Sequence, residues 1–259
     1  MSATPAIEVV ADPAALADAA ATRVAAALRE AIAARGVAHV ALTGGSTAPP
    51  LYERLVAAGS AAGVAWDAVH CWWGDERFVP LDHPASNAGV AQDVLGIGLG
   101  LPAANLHPWP VAAALADGSG PDGAARAYAA DVRAALPVRS DGDPVFDLLL
   151  LGVGPDGHVL SCFPGSPGLA ADAPLALGIP APSHVEPHLA RVTFRARVVA
   201  AARRVLVMVG GGGKADVLHD ILEGPLDPLA LPAQVARVGQ AVWLLDRAAA
   251  ARLTPPREP

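Results

Sequence analysis

The sequence predicts an α/β layer sandwich built on a mostly parallel sheet, and three observations carry that reading. Residues 146–151 (FDLLLL) and 204–209 (RVLVMV) are short apolar runs without alternation, the pattern of strands buried on both faces. Strand-like runs alternate with helical ones along the chain, as a parallel sheet with crossover helices requires. Four of the strands end in unusual chemistry: TGGST at 43–47, GDER at 74–77, GVGPDGH at 152–158 and GGGGK at 210–214. In a parallel sheet those ends share one edge, which is where open α/β sheets bind ligands.

Residues 7–10 read as a short strand. Residues 13–35 place Leu16, Val24, Leu28 and Ile32 at helical spacing, between Pro13 at the start and Gly36 as a stop. Residues 37–43 form the second strand, which runs through TGGST into a helix carrying Leu51, Tyr52, Leu55 and Val56. Residues 66–73 form a third strand. A polar loop with Asp82, His83, Ser86 and Asn87 follows, then helices near 90–95 and 121–136. Residues 166–190 are rich in Pro, Gly and Ala and have no assignable pattern. Strands follow at 190–194 and 204–209, a helix from 210–214 through Leu222, a last strand at 241–246, a short helix, and a frayed Pro-rich tail from about 254. No repeat or linker divides the chain, so a single domain over 1–259 is expected.

Composition narrows the function. Hydrophobic residues make up 53% and aromatics only 4%, which predicts a core of Ala, Val and Leu. No apolar run reaches the ~18 residues of a membrane span, and residues 1–13 do not read as a signal peptide. The net charge of −7 argues against a nucleic-acid surface. Cys71 and Cys162 have neither metal-ligand spacing nor a disulfide framework, and a reduced cytoplasm is expected. Of eighteen basic residues only Lys214 is a lysine; it follows four glycines at a strand end, which suggests a site needing a compact ammonium.

His158 is the strongest candidate for chemistry. It alone of eight histidines follows a Gly-rich turn on a buried strand, with Asp156 two residues upstream. His39 and His70 lie within strands and suit packing, and His184 sits in a loop without partner spacing. Gly152, Gly154 and Gly157 spell a dinucleotide-binding fingerprint, but Pro164, Gly165, Pro167 and Gly168 cut off the helix it needs. TGGST suits an anion through amides and two hydroxyls, or is a plain helix cap after a tight turn. Arg77 suits a phosphate; Glu76 reads as a solvated charge. Cys162 reads as a small buried hydrophobe.

Taken in order, LTGGSTAPPLYERL, WWGDERFVPLDHPASNAG, FDLLLLGVGPDGHVLSCFPGSP, RVTF and GGGGKADVL resemble the 6-phosphogluconolactonases, within the superfamily of glucosamine-6-phosphate deaminases. The likeness runs over nearly the whole chain, and the GDER…SN and DGH…FPG blocks are its specific parts. It implies a NagB-like, Rossmann-type sheet and hydrolysis of 6-phospho-D-glucono-1,5-lactone in the oxidative pentose phosphate pathway, with no metal or organic cofactor. His158 would be the general base, with Asp156 and Asp75 beside it. Gly44, Gly45, Ser46, Thr47, Arg77 and Lys214 would hold the phosphate. The implied partner is a small sugar phosphate, with no nucleic acid and no membrane, for a monomer or small homo-oligomer. The deaminase branch resembles DGH followed by Glu-Pro-Gly, whereas Phe163 stands before Pro164-Gly165 here. A sugar-phosphate sensor is the third reading, disfavoured by the lack of a helix-turn-helix segment or basic patch. Ala48-Pro49-Pro50 and Val159-Leu160 depart from the family pattern and bear on pocket shape.

Overall fold

The structure is a computed structural model that describes residues 4–254. Its strands are β1 (Ala6–Val10), β2 (Ala38–Leu42), β3 (Val69–Trp73), β4 (Asp75–Arg77), β5 (Leu106–His107), β6 (Leu148–Leu151), β7 (Ala176–Ile179), β8 (Arg191–Phe194), β9 (Val205–Val209) and β10 (Ala241–Asp246). Seven of them form one sheet in the order β1-β10-β9-β6-β2-β3-β5, with every pairing parallel. From β2 the chain steps outward through β3 to β5, and from β6 it steps outward the other way through β9 to β10. The order therefore reverses between β2 and β6, which pair Val40 with Leu148 and Ala41 with Leu149. Ligands of doubly wound sheets sit outside the carboxyl ends of strands at such a reversal.

The apolar runs behave as their composition dictates. Every residue of β2, β6 and β9 is buried, whereas edge strand β1 leaves Ile7 and Val9 about half exposed. The helix Pro13–Arg35 starts where Asp12 accepts from the Ala15 amide at 2.9 Å and stops at Gly36, whose φ of 78° few other residues adopt. It buries Leu16, Ala20, Val24 and Leu28, and the alanines let it lie close on the sheet. The core is Ala, Val and Leu in bulk, as expected, but its largest members are aromatic: Trp72, Trp73, Trp243, Tyr52, Tyr128, Phe146 and Phe194 are all fully buried. Tyr128 does polar work as well. Its hydroxyl accepts from the Trp73 amide and donates to the His107 carbonyl, both at 2.9 Å, and so pins the end of β3 just before the GDER segment.

Four expectations are corrected. Residues 66–68 form a 3₁₀ turn, so the third strand begins at Val69. GDER is more than the end of the third strand: Asp75–Arg77 is itself β4, in a second, antiparallel sheet ordered β4-β8-β7. The unassignable stretch 166–190 supplies β7 to that sheet. After β10 the chain makes turns where a short helix was expected. The tail beyond Thr254 lies outside the described residues.

Candidate active site

The four strand ends do converge. Gly44, Gly45, Ser46 and Thr47 after β2, Asp75 and Arg77 after β3, His158 after β6 and Lys214 after β9 line one cleft at the β2/β6 reversal. Asp156 is the one predicted residue outside that lining; it stands behind His158.

The turn after β6 explains why. Gly157 takes a φ of 80°, and the Gly154 amide donates back to the His158 carbonyl at 2.9 Å. That fold brings the His158 ring against the Gly154 backbone so closely that a Cβ there would lie 1.9 Å from Nδ1. The Asp156 carboxylate meets Nδ1 of His158 at 2.5 Å. Burial alone would raise Asp156, but hydrogen bonds and charge from His158, with a further bond from His184, hold it well below the usual carboxylate range. An ionised carboxylate only accepts, so Nδ1 carries a proton, and in the neutral ring Nε2 is the nitrogen with the lone pair. Asp156 thus both shapes the turn and orients the base. Phe163 packs beside the His158 ring with centroids 4.6 Å apart.

Asp75 acts as a brace. It is buried, and its Oδ2 accepts from Ser161 Oγ at 2.5 Å, while the Ser161 amide donates to Thr193 Oγ1 at 3.1 Å. The segment that follows His158 is thereby tied to both β4 and β8. Between them Leu160 is held at a φ of 56°, costly for a branched side chain, and faces the cleft.

The cations are arranged for an anion. Arg77 and Arg191 stand directly opposite each other across β4 and β8, a like-charge pairing that is unfavourable by itself. Arg77 Nη1 donates to the Ala85 carbonyl at 2.7 Å, and Arg191 Nη2 to the Pro187 carbonyl at 3.2 Å. Both guanidinia line the cleft, and each keeps a buried Nε without a hydrogen-bond partner. The Arg191 guanidinium also lies 5.4 Å from the centre of the Phe163 ring. Lys214 Nζ donates to the Val153 carbonyl at 2.5 Å, and among the described residues it has no ion-pair partner. Burial pushes its pKa down, and Asp156 partly offsets this. An anion with several oxygens answers these donors together.

The glycine loop lines the cleft ahead of a helix. The helix Ala48–Ala58 follows it directly, but Pro49 and Pro50 remove two first-turn N–H groups. Donors to an anion therefore come from the 44–47 backbone and the Ser46 and Thr47 hydroxyls. Gly44 is required by close approach: a Cβ would lie 1.9 Å from Asn87 Oδ1.

Glu76 corrects the expectation of a solvated charge. It is buried, and its oxygens accept from the amides of Arg77, Asn87 and Ala88, each at 2.7 Å, and from Ser86 Oγ at 3.1 Å. Burial raises its pKa against the lowering pull of those three amides. It anchors the short helix Asn87–Ala91 beneath the cleft. Cys162 is a buried hydrophobe as expected, its thiol pushed up to about 12 by burial. Sequence reasoning passed over Arg191 and His184. Arg191 carried a signal, being the one charge in the buried RVTF strand; His184 carried none.

Fold and site together define an α/β protein with an oriented imidazole beside a group of cations at the strand ends. A sequence profile of the Glucosamine-6-phosphate isomerases/6-phosphogluconolactonase family matches residues 11–243, and the chain belongs to that family. It is 37% identical to the 6-phosphogluconolactonase of Synechocystis sp. over 226 residues, 86% of this chain and 88% of that protein. It is 35% identical to the 6-phosphogluconolactonase of Streptomyces coelicolor over 259 residues, 98% and 96% of the two chains. Among solved structures, 6-phosphogluconolactonase from Trypanosoma brucei superposes with a TM-score of 0.86 at 29% identity, covering 98% of this chain and all of that one. The resemblance and the NagB-like, Rossmann-type fold are both borne out.

Proposed function

We propose that the protein hydrolyses 6-phospho-D-glucono-1,5-lactone to 6-phosphogluconate, without a metal ion, in the oxidative pentose phosphate pathway of the cytoplasm. The observation that carries this reading is the pairing of an oriented imidazole, His158 on Asp156, with the cations Arg77, Arg191 and Lys214, none in a direct ion pair among the described residues, in one cleft. The phosphate is held by those cations and by the backbone and hydroxyls of 44–47, and this remote binding places the lactone carbonyl. Nε2 of His158 takes a proton from water as the water oxygen bonds to the carbonyl carbon. The same proton passes to the ring oxygen as its bond to that carbon breaks. General-base help of this kind is worth about 10²–10⁴-fold, and a strained ester needs no covalent nucleophile.

Phe163 supports the lactonase over the deaminase branch. The position where a deaminase places its ring-opening carboxylate holds an apolar ring against His158. Among the described residues no group of three or more His, Cys, Asp or Glu is placed to hold a metal, and no helix is long and apolar enough to cross a membrane. Freshly prepared δ-lactone should turn over far above its spontaneous rate, unchanged by EDTA, while glucosamine 6-phosphate releases no ammonia. Ammonia release at a rate comparable with lactone hydrolysis would reverse the choice of branch.

A further inference from the structure

Of the two Asp156 carboxylate oxygens, Oδ1 meets Nδ1 of His158. The other, Oδ2, meets Nε2 of His184 at 2.9 Å. His184 comes from the loop between β7 and β8, which also sends Val185 and Glu186 to the cleft wall. Both imidazoles rest on Phe163, with centroids 4.6 Å away for His158 and 5.6 Å for His184. The carboxylate is thus held between two rings that share one aromatic support.

We infer that His184 is a positioning residue for the proposed lactonase reaction, donating from Nε2–H to fix the Asp156 carboxylate so that it holds His158 in the Nδ1–H tautomer. The chemistry follows from the acceptor-only carboxylate. With Oδ2 engaged, rotation about the carboxyl bond breaks two hydrogen bonds at once, so Oδ1 stays on His158. Without His184, Oδ2 is open to water, the carboxylate gains rotational freedom, and His158 can exchange tautomers. The His158 side chain is nearly buried, whereas that of His184 is about half exposed, 13% against 52%. The outer ring is therefore free to leave with its loop without unpacking the base. The other charged groups facing this trio are Lys214 and Arg191, both of which feel Asp156, and Glu186, whose carboxylate reaches His188 at 3.0 Å.

The inference rests on the lactonase reading, so its test has a readout that does not. Long-range ¹H–¹⁵N spectra of the His158 ring in the unliganded protein report the tautomer whether or not the protein turns over lactone. In His184→Ala the Nδ1–H form should give way to a mixture. On 6-phosphogluconolactone kcat should fall about three- to tenfold with KM little changed, the scale of one lost orienting hydrogen bond. His184→Gln, whose amide can donate to Oδ2, should recover most of the kcat. A His158 tautomer unchanged in His184→Ala, or a loss confined to KM and thermal stability, would overturn the inference and reduce His184 to a loop anchor. Absence of lactone turnover in the wild type would instead sink the lactonase reading and leave the spectroscopic arm intact.

Discussion

Two histidine clusters lie on this fold, and they differ in what their nearest carboxylate holds. At the carboxyl ends of the strands, Asp156 grips the rings of His158 and His184. On the face of the sheet, His39, His70 and His107 lie side by side on β2, β3 and β5. His70 Nδ1 meets His107 Nε2 at 2.9 Å, and Trp72 stacks on His107 at 4.0 Å and donates from Nε1 to His39 Nδ1 at 3.2 Å. A carboxylate is close here too. Asp147, however, accepts from the His39 backbone amide and is neutralised by Arg35 and Arg203 at 2.8 and 3.3 Å. Burial then lowers all three histidines, His39 to about 4. On the proposed reading Asp156, bound to the ring, orients His158 as a base, whereas Asp147, bound to the backbone, leaves His39 as core.

The sharpest way to break this contrast is to remove the working base. His158→Ala should cut kcat by about two orders of magnitude or more, while calorimetry still detects 6-phosphogluconate binding through the cations. Near-normal turnover would mean that the two clusters do not differ in kind.

The cations test whether the upper cluster faces a phosphate. Lys214→Ala and Arg77→Ala should each lower kcat/KM on the phosphorylated lactone by roughly ten- to a hundredfold, the worth of a charge-assisted bond of about 1.5–3 kcal/mol. Unphosphorylated glucono-δ-lactone should lose far less. Lys214→Arg should recover only part, since a planar fork fits poorly where an ammonium sits on the Val153 carbonyl. Equal losses on both lactones would assign these cations to structure.

The smallest effect is expected below. In the unfolded chain His39 takes up its proton near pH 6.5, and in the fold only near 4. Its stabilising contribution is therefore complete above pH 6.5 and is lost as pH falls from 6.5 toward 4. His39→Gln keeps an acceptor for Trp72 and removes the titration. Between pH 7 and 5 it should lose about 1–2 kcal/mol less stability than the wild type, a few degrees in Tm, with kcat at pH 7 unchanged. A wild-type acid slope in the variant would show that His39 is already solvated.

What could be read from the chain follows the reach of its signals. Six strands of the seven-stranded sheet were legible as local apolar runs, whereas the two-residue β5 was not, and the four decorated ends were legible because glycine and charge interrupt those runs. The antiparallel sheet was not. Its pairing of residues 75–77 with 191–193 joins segments more than a hundred positions apart, and no local pattern announces such a partner. Arg191 and the role of Glu76 were lost with it. Glu76 sits among charges in sequence, and only the fold wraps three amides around it. His184 went unseen for a related reason: its loop has no periodicity, and its meaning comes from a carboxylate 28 residues earlier.

The placement of β1 has a consequence for the making of the protein. Residues 6–10 pair with 242–246, nearly the whole chain later. At ribosomal rates of about 5–20 residues per second, the first strand waits roughly 10–50 s for its neighbour to emerge. Through that interval Ile7 and Val9 travel with their backbone groups bonded only to water, and the edge of β9 that β10 will cover is open as well. The newborn chain is most exposed to stray β-pairing at its beginning, and its last strand closes both gaps in one step.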